Sequence, residues 1–145
     1  MLTRKPFFYT VIALLIFIST GCTSEKEEQQ KLFNEVIAVH DEVMPKMDQL
    51  RSLAKKLSSQ ADSLALDSIA DRTAKIDELR QLSKNLKDAN EGMMEWMRQF
   101  EQQDEGTPHG EVIQYLSEQR KQIQKVRDDM LNSKEEAEKY LLPKD

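Results

Sequence analysis

Apolar side chains recur in steps of four and three along most of this chain, and that rhythm leaves few folds open to it. Phe33, Val36, His40, Val43, Met47, Leu50, Ala54, Leu57, Ala61 and Leu64 form the first series. Alternating steps of four and three place all of these residues along one face of an α-helix, whereas a half-buried strand would repeat every second residue. Leu32, Ile37, Val39, Met44 and Leu53 flank the series, widening the stripe beyond what a two-stranded seam needs, so the helix requires more than one neighbour. A second series holds Ile69, Ile76, Leu79, Leu82, Leu86, Ala89, Met93, Trp96, Met97 and Phe100. A third holds Val112, Leu116, Gln119, Ile123, Val126, Met130, Ser133, Ala137 and Tyr140.

The breaks between series are marked by turn chemistry. Ser58-Ser59 and Asp67-Ser68 bracket the first, with Ser63 or Asp67 available to cap the next helix. The second is Gln102 to Pro108, where Gly106 suits a C-terminal cap or turn, Thr107 an N-cap and Pro108 a first helical position. Ser133 and Glu136 match a capping box, yet the third seam keeps its phase across them, so one helix is expected to run on until Pro143. Helices are therefore expected over about 28–60, 67–103 and 108–141, inside a bundle spanning residues 31–145. The predicted fold is all-α: an up-down-up antiparallel three-helix bundle, coiled-coil-like. Two long helices with a swapped or dimerising third are the alternative, and a wide stripe leaves a homo-oligomer open.

Ahead of the bundle lie Arg4-Lys5, an apolar run from Phe7 to Ile18, and then Ser19-Thr20-Gly21-Cys22. A basic head, a short greasy core and small residues describe an export signal. The run is too short to cross a bilayer, which takes about 20 residues. Cys22 is the only cysteine, so it has no disulfide partner in an oxidising compartment. Thr20-Gly21-Cys22 resembles a lipobox, although Ser19 stands where leucine is usual. The expectation is a signal peptide over 1–21, lipidation (palmitate among the acyl groups) on Cys22, a polar tether over 22–30, and a place in the cell envelope at the outer membrane. Ser24–Glu28 also looks like the acidic export signal of surface-exposed Bacteroidota lipoproteins; a helix N-terminal turn would attract the same residues.

The chain carries a formal net charge of −5, and losing Arg4 and Lys5 would make it more acidic. Nucleic acid is not an expected partner, since phosphates demand a basic face. Adsorption to anionic lipid is disfavoured for the same reason, so attachment would come through the acyl chains. No enzyme is expected. Neither histidine has a serine or cysteine nucleophile at a meaningful spacing, and there is no phosphate-binding glycine loop, His-Glu-x-x-His pair or Glu-x-x-His pair.

Two clusters remain. Pro45 falls inside the first seam, where it deletes a helical amide and should bend the rod, with His40 one turn before it. Antiparallel pairing brings His40 and Met44 level with Met93, Trp96 and Met97. Thioethers with one imidazole suit Cu(I), and a haem held by His40 and a methionine is a second version, though no Cys-x-x-Cys-His motif is present. Against this, methionines commonly fill irregular core space. His40 would then donate to Gln119, Asn90 or the carbonyl freed by Pro45. His109 reads as an exposed loop residue.

His40-Asp41-Glu42-Val43-Met44-Pro45-Lys46-Met47, Met93-Met94-Glu95-Trp96-Met97, and Tyr115-Leu116 followed by Ile123, Val126 and Met130 together resemble a family of small helical Bacteroidota lipoproteins. Some of its members are labelled "viral A-type inclusion protein". The resemblance covers most of the chain after Cys22 and implies class and address; it implies no activity, and the label implies no viral role. The reading that results is a lipid-anchored envelope protein acting as a non-enzymatic structural or protein-interaction module, with an unidentified envelope protein as its partner. The alternative is a soft-metal (copper) or haem binder using His40, Met44, Met93 and Met97.

Overall fold

The computed structural model describes residues 20–66 and 72–142. Every element among them is helical: α1 (Thr20–Val43), a 3-10 turn (Met44–Lys46), α2 (Met47–Leu66), α3 (Thr73–Gln99) and α4 (His109–Leu141). α1, the turn and α2 make a first rod, α3 returns alongside it, and α4 runs up again. The fold is the all-α, up-down-up bundle that the three seams require. Residues 1–19 of the expected signal segment (1–21), the first inter-helix turn with Asp67 and Ile69, and Pro143 lie outside the described residues.

The helix limits differ from those expected, for local reasons. The first rod extends through Ser58-Ser59 to Leu66. Ser63 Oγ donates to the Ser59 carbonyl at 2.8 Å, a back-bond within the helix that lets serines sit inside it. α1 also takes in the segment read as a tether, because Glu25-Lys26-Glu27-Glu28-Gln29-Gln30 are all competent helix formers. α3 stops at Gln99: Phe100 turns extended (φ −73°, ψ 118°) while its N–H still reaches the Trp96 carbonyl. Among the described residues no glycine has positive φ, so Gly106 lies in the turn without supplying a left-handed cap. Pro108 flanks α4 rather than opening it, and its carbonyl accepts the N–H groups of Glu111 and Val112. α4 runs unbroken past Ser133 to Leu141.

Packing follows the seams closely. Val36, Val43, Met47, Leu50, Ala54, Leu57 and Ala61 are buried from the first rod, Leu79, Leu86, Ala89, Met93 and Trp96 from α3, and Ile123, Met130 and Ala137 from α4. Each large aliphatic side chain fully buried contributes about 1.5–3 kcal/mol. Ser83 joins them at 1 % exposure. Its hydroxyl donates to the Ala54 carbonyl at 2.8 Å and meets Ser58 Oγ at 3.0 Å, so α2 and α3 approach across small residues. A smaller core of Leu32, Val112 and Leu116 lies at the other pole, packed by Phe33, Phe100, Ile113 and Tyr115.

The first rod changes neighbours partway up. α1 packs chiefly on α4, whereas α2 packs chiefly on α3 and only sparsely on α4. The 3-10 turn that separates α1 from α2 carries Pro45, and within it the Met47 N–H bonds to the Met44 carbonyl rather than to the Val43 carbonyl of an α-helix.

Candidate functional site

The layer at the 3-10 turn gathers several of the residues singled out in the sequence. Met93 and Trp96 are buried, Met97 packs against the same core, and the His40 ring lies 5.7 Å from that of Trp96, tilted by 34°. Met44 does not join them inside; it is 44 % exposed on the turn. His40 is half-buried, and its Nδ1 lies 2.8 Å from Asp41 Oδ1. This differs from the expected bond to Gln119, Asn90 or a freed carbonyl: the neighbouring carboxylate, one residue along, reaches the ring first. Among the described residues, no group of three or more histidine, cysteine, aspartate or glutamate side chains could hold a metal ion. A site in this layer would therefore rest on thioethers and one imidazole.

From His40 an unbroken run of rings continues to the lower pole. Trp96 stacks on Phe100 at 4.9 Å between centroids, and Phe100 meets both Phe33 at 6.1 Å and Tyr115 at 6.2 Å. Such contacts add about 0.5–1.5 kcal/mol per pair beyond burial alone. The Tyr115 hydroxyl accepts the Glu101 N–H at 2.8 Å, tying the chain beyond α3 down onto α4. Three buried polar atoms around this region have no hydrogen-bond partner: Asn90 Oδ1, Trp96 Nε1 and Gln119 Oε1. An orphaned buried polar group costs about 1–3 kcal/mol.

At the lower pole His109 is partly buried as the first residue of α4, not an exposed loop residue. Its Nδ1 lies 3.1 Å from Gln29 Nε2 and its Nε2 3.2 Å from Glu28 Oε2. The geometry suits Nδ1 accepting from the amide and Nε2 donating to the carboxylate. Arg120 reaches back to Glu35 at 2.6 Å, a second strap between α4 and α1. Cys22 lies in the first turn of α1. No helix among the described residues is long and apolar enough to cross a membrane.

Shifted protonation is confined to the rims. Hydrogen bonds from Arg98 and Gln99, with the Arg98 charge, hold the Glu95 carboxyl below its usual range. Glu91 and Glu95 hold Arg98 firmly protonated, and Asp128 does the same for Arg127. Burial, followed by the charge and hydrogen bond of Glu78, raises the Tyr140 phenol.

The ring chain and the His109 straps escaped the sequence reading. Their only sequence signal is the placing of Phe33, Trp96 and Phe100 near one end of their respective seams, with Tyr115 beside Leu116 of the third. No protein-family model, curated protein or solved structure matches the chain.

Proposed function

We propose that the chain is a lipid-anchored cell-envelope protein whose helical bundle serves as a non-enzymatic structural or protein-interaction module. The observation that carries this reading is the succession Arg4-Lys5, Phe7–Ile18 and Ser19-Thr20-Gly21-Cys22, the order of parts in a lipidated export signal. The bundle fits such a role: it buries one continuous seam per helix and covers its outer faces with intrahelical pairs such as Lys125–Asp129 at 2.6 Å and Lys134–Glu138 at 2.8 Å. The resemblance to small Bacteroidota lipoproteins points the same way, and the outer membrane is the proposed address. The test is labelling of expressing cells with a palmitate analogue. Wild-type chain should carry the label and Cys22→Ala should not; equal labelling of the two removes the anchor from the proposal.

A second reading, a Cu(I) site, is favoured by one observation: His40 lies against Trp96 in the layer that also holds Met93 and Met97. Titration against a Cu(I) chelator decides it. Affinity in the micromolar range or tighter, lost in His40→Ala, would support the site, and unchanged binding in that variant would end it.

A further inference from the structure

Where α2 and α4 stay apart, the upper part of the bundle holds a cleft of about 570 Å³. Its apolar wall is built from Leu64 of α2, Leu79 of α3, and Tyr140 and Leu141 of α4; Lys56 and Lys75 also line it. Ser59, Gln60 and Ser63 complete the lining. No carboxylate is among the lining residues described, although Glu78 accepts a hydrogen bond from the Tyr140 phenol at its edge. Neither lysine forms an ion pair within the described residues, in contrast to Lys84, Lys125 and Lys134, each paired to an acid four residues on.

The two lysines stand at opposite ends of the apolar wall. Lys56 precedes Leu64 by two turns on the ascending rod, about 12 Å at 1.5 Å per residue. Lys75 precedes Leu79 by one turn on the descending helix, which places it toward the other end, near the level of Leu64. An apolar trough with a cation at each end favours an apolar chain ending in a negative charge: the chain leaves water, and the charged head finds a solvated ammonium partner.

Size separates the candidate occupants. Specific protein interfaces engage about 20–30 residues a side, whereas two to three turns of trough match the 300–1,000 Å³ of a small-ligand site. We propose that this cleft binds a single-chain anionic amphiphile, a medium- or long-chain carboxylate lying along Leu64, Tyr140 and Leu141 with its head on Lys56 or Lys75. With a lysine at either end, the ligand can lie in both directions. Removing one lysine should therefore weaken binding much less than removing both.

The experiment uses the purified full chain and a diazirine-bearing fatty acid, with crosslinked peptides mapped by mass spectrometry. Crosslinks should fall on the segments around Leu64 and around Tyr140 and Leu141. Laurate should compete for them and dodecyltrimethylammonium should not. The double variant Lys56→Gln/Lys75→Gln should lose about tenfold in labelling with its helicity unchanged, since both side chains are exposed. Crosslinks spread along the chain, equal competition by the cationic amphiphile, or full labelling of the double variant would each overturn the proposal. So would a dimer disrupted by Leu141→Glu, because a second copy would then fill the trough.

Discussion

The two halves of this bundle are stabilised differently. Above the 3-10 turn, α2 and α3 approach across Ala54, Ala61 and Ser83, with Leu50, Leu57, Leu79 and Leu86 fully or nearly fully buried between them. Below it, α1 and α4 are joined by a smaller apolar cluster, a run of aromatic rings and two polar straps, Glu35–Arg120 and the contacts of His109 with Glu28 and Gln29. Close aliphatic packing gives stability that is insensitive to salt and protonation. Rings and straps give less, and part of what they give depends on polar geometry. The upper half should therefore set global stability, and the lower half should open first.

The largest expected effect tests that ranking directly. Leu57→Ala, at a position with no exposed surface, should cost about 3–5 kcal/mol in denaturant unfolding, the upper part of the range for buried leucines. Leu116→Ala in the lower cluster should cost closer to 2 kcal/mol, and equal losses would erase the distinction between halves. Ser83→Leu should cost about 1–3 kcal/mol by forcing α2 and α3 apart; a neutral result would mean that their contact is looser than the Ser83–Ala54 bond suggests. Gln119→Leu should raise stability by about 1 kcal/mol, because it deletes a buried carbonyl oxygen without a partner.

The smallest effect concerns pH and the upper half alone. The Tyr140 phenol is raised in the folded protein, first by burial and then by Glu78. In the unfolded chain the same phenol ionises near its ordinary value of about 10. Between the two values the unfolded state holds fewer protons, so stability falls as pH rises through that alkaline window and is fully present below it. Tyr140→Phe should flatten this part of the stability–pH curve, and an unchanged slope would show that Tyr140 does not supply it.

Much of the architecture was legible because it is periodic. The seams through Val43, Leu50 and Leu57, through Leu79, Leu86 and Met93, and through Ile123, Met130 and Ala137 name their own buried faces. Ser83 was missed although it lies four residues after Leu79 and three before Leu86, in phase with the seam; its hydroxyl drew attention away from its spacing. Gly106, Thr107 and Pro108 located the lower turn but not its geometry, since Phe100 ends α3 by going extended. The exchange of neighbours at the 3-10 turn could not be read at all. A stripe wide enough for two partners does not say which one it meets first, and that depends on distances between segments far apart in the chain. For the same reason His40 was placed in the correct layer but with the wrong partner.

That exchange has a consequence for the order in which a growing polypeptide can become stable. α2 and α3 are consecutive, so the upper hairpin can close as soon as residue 99 is available, on contacts of short sequence separation. α1 has to wait for α4, whose matching residues Val112 and Leu116 are made some 80 positions after Leu32. Throughout that interval Leu32 lacks the α4 residues that bury it and α1 lacks its main neighbour, so whatever escorts the nascent chain must shield part of the segment made first until the segment made last arrives.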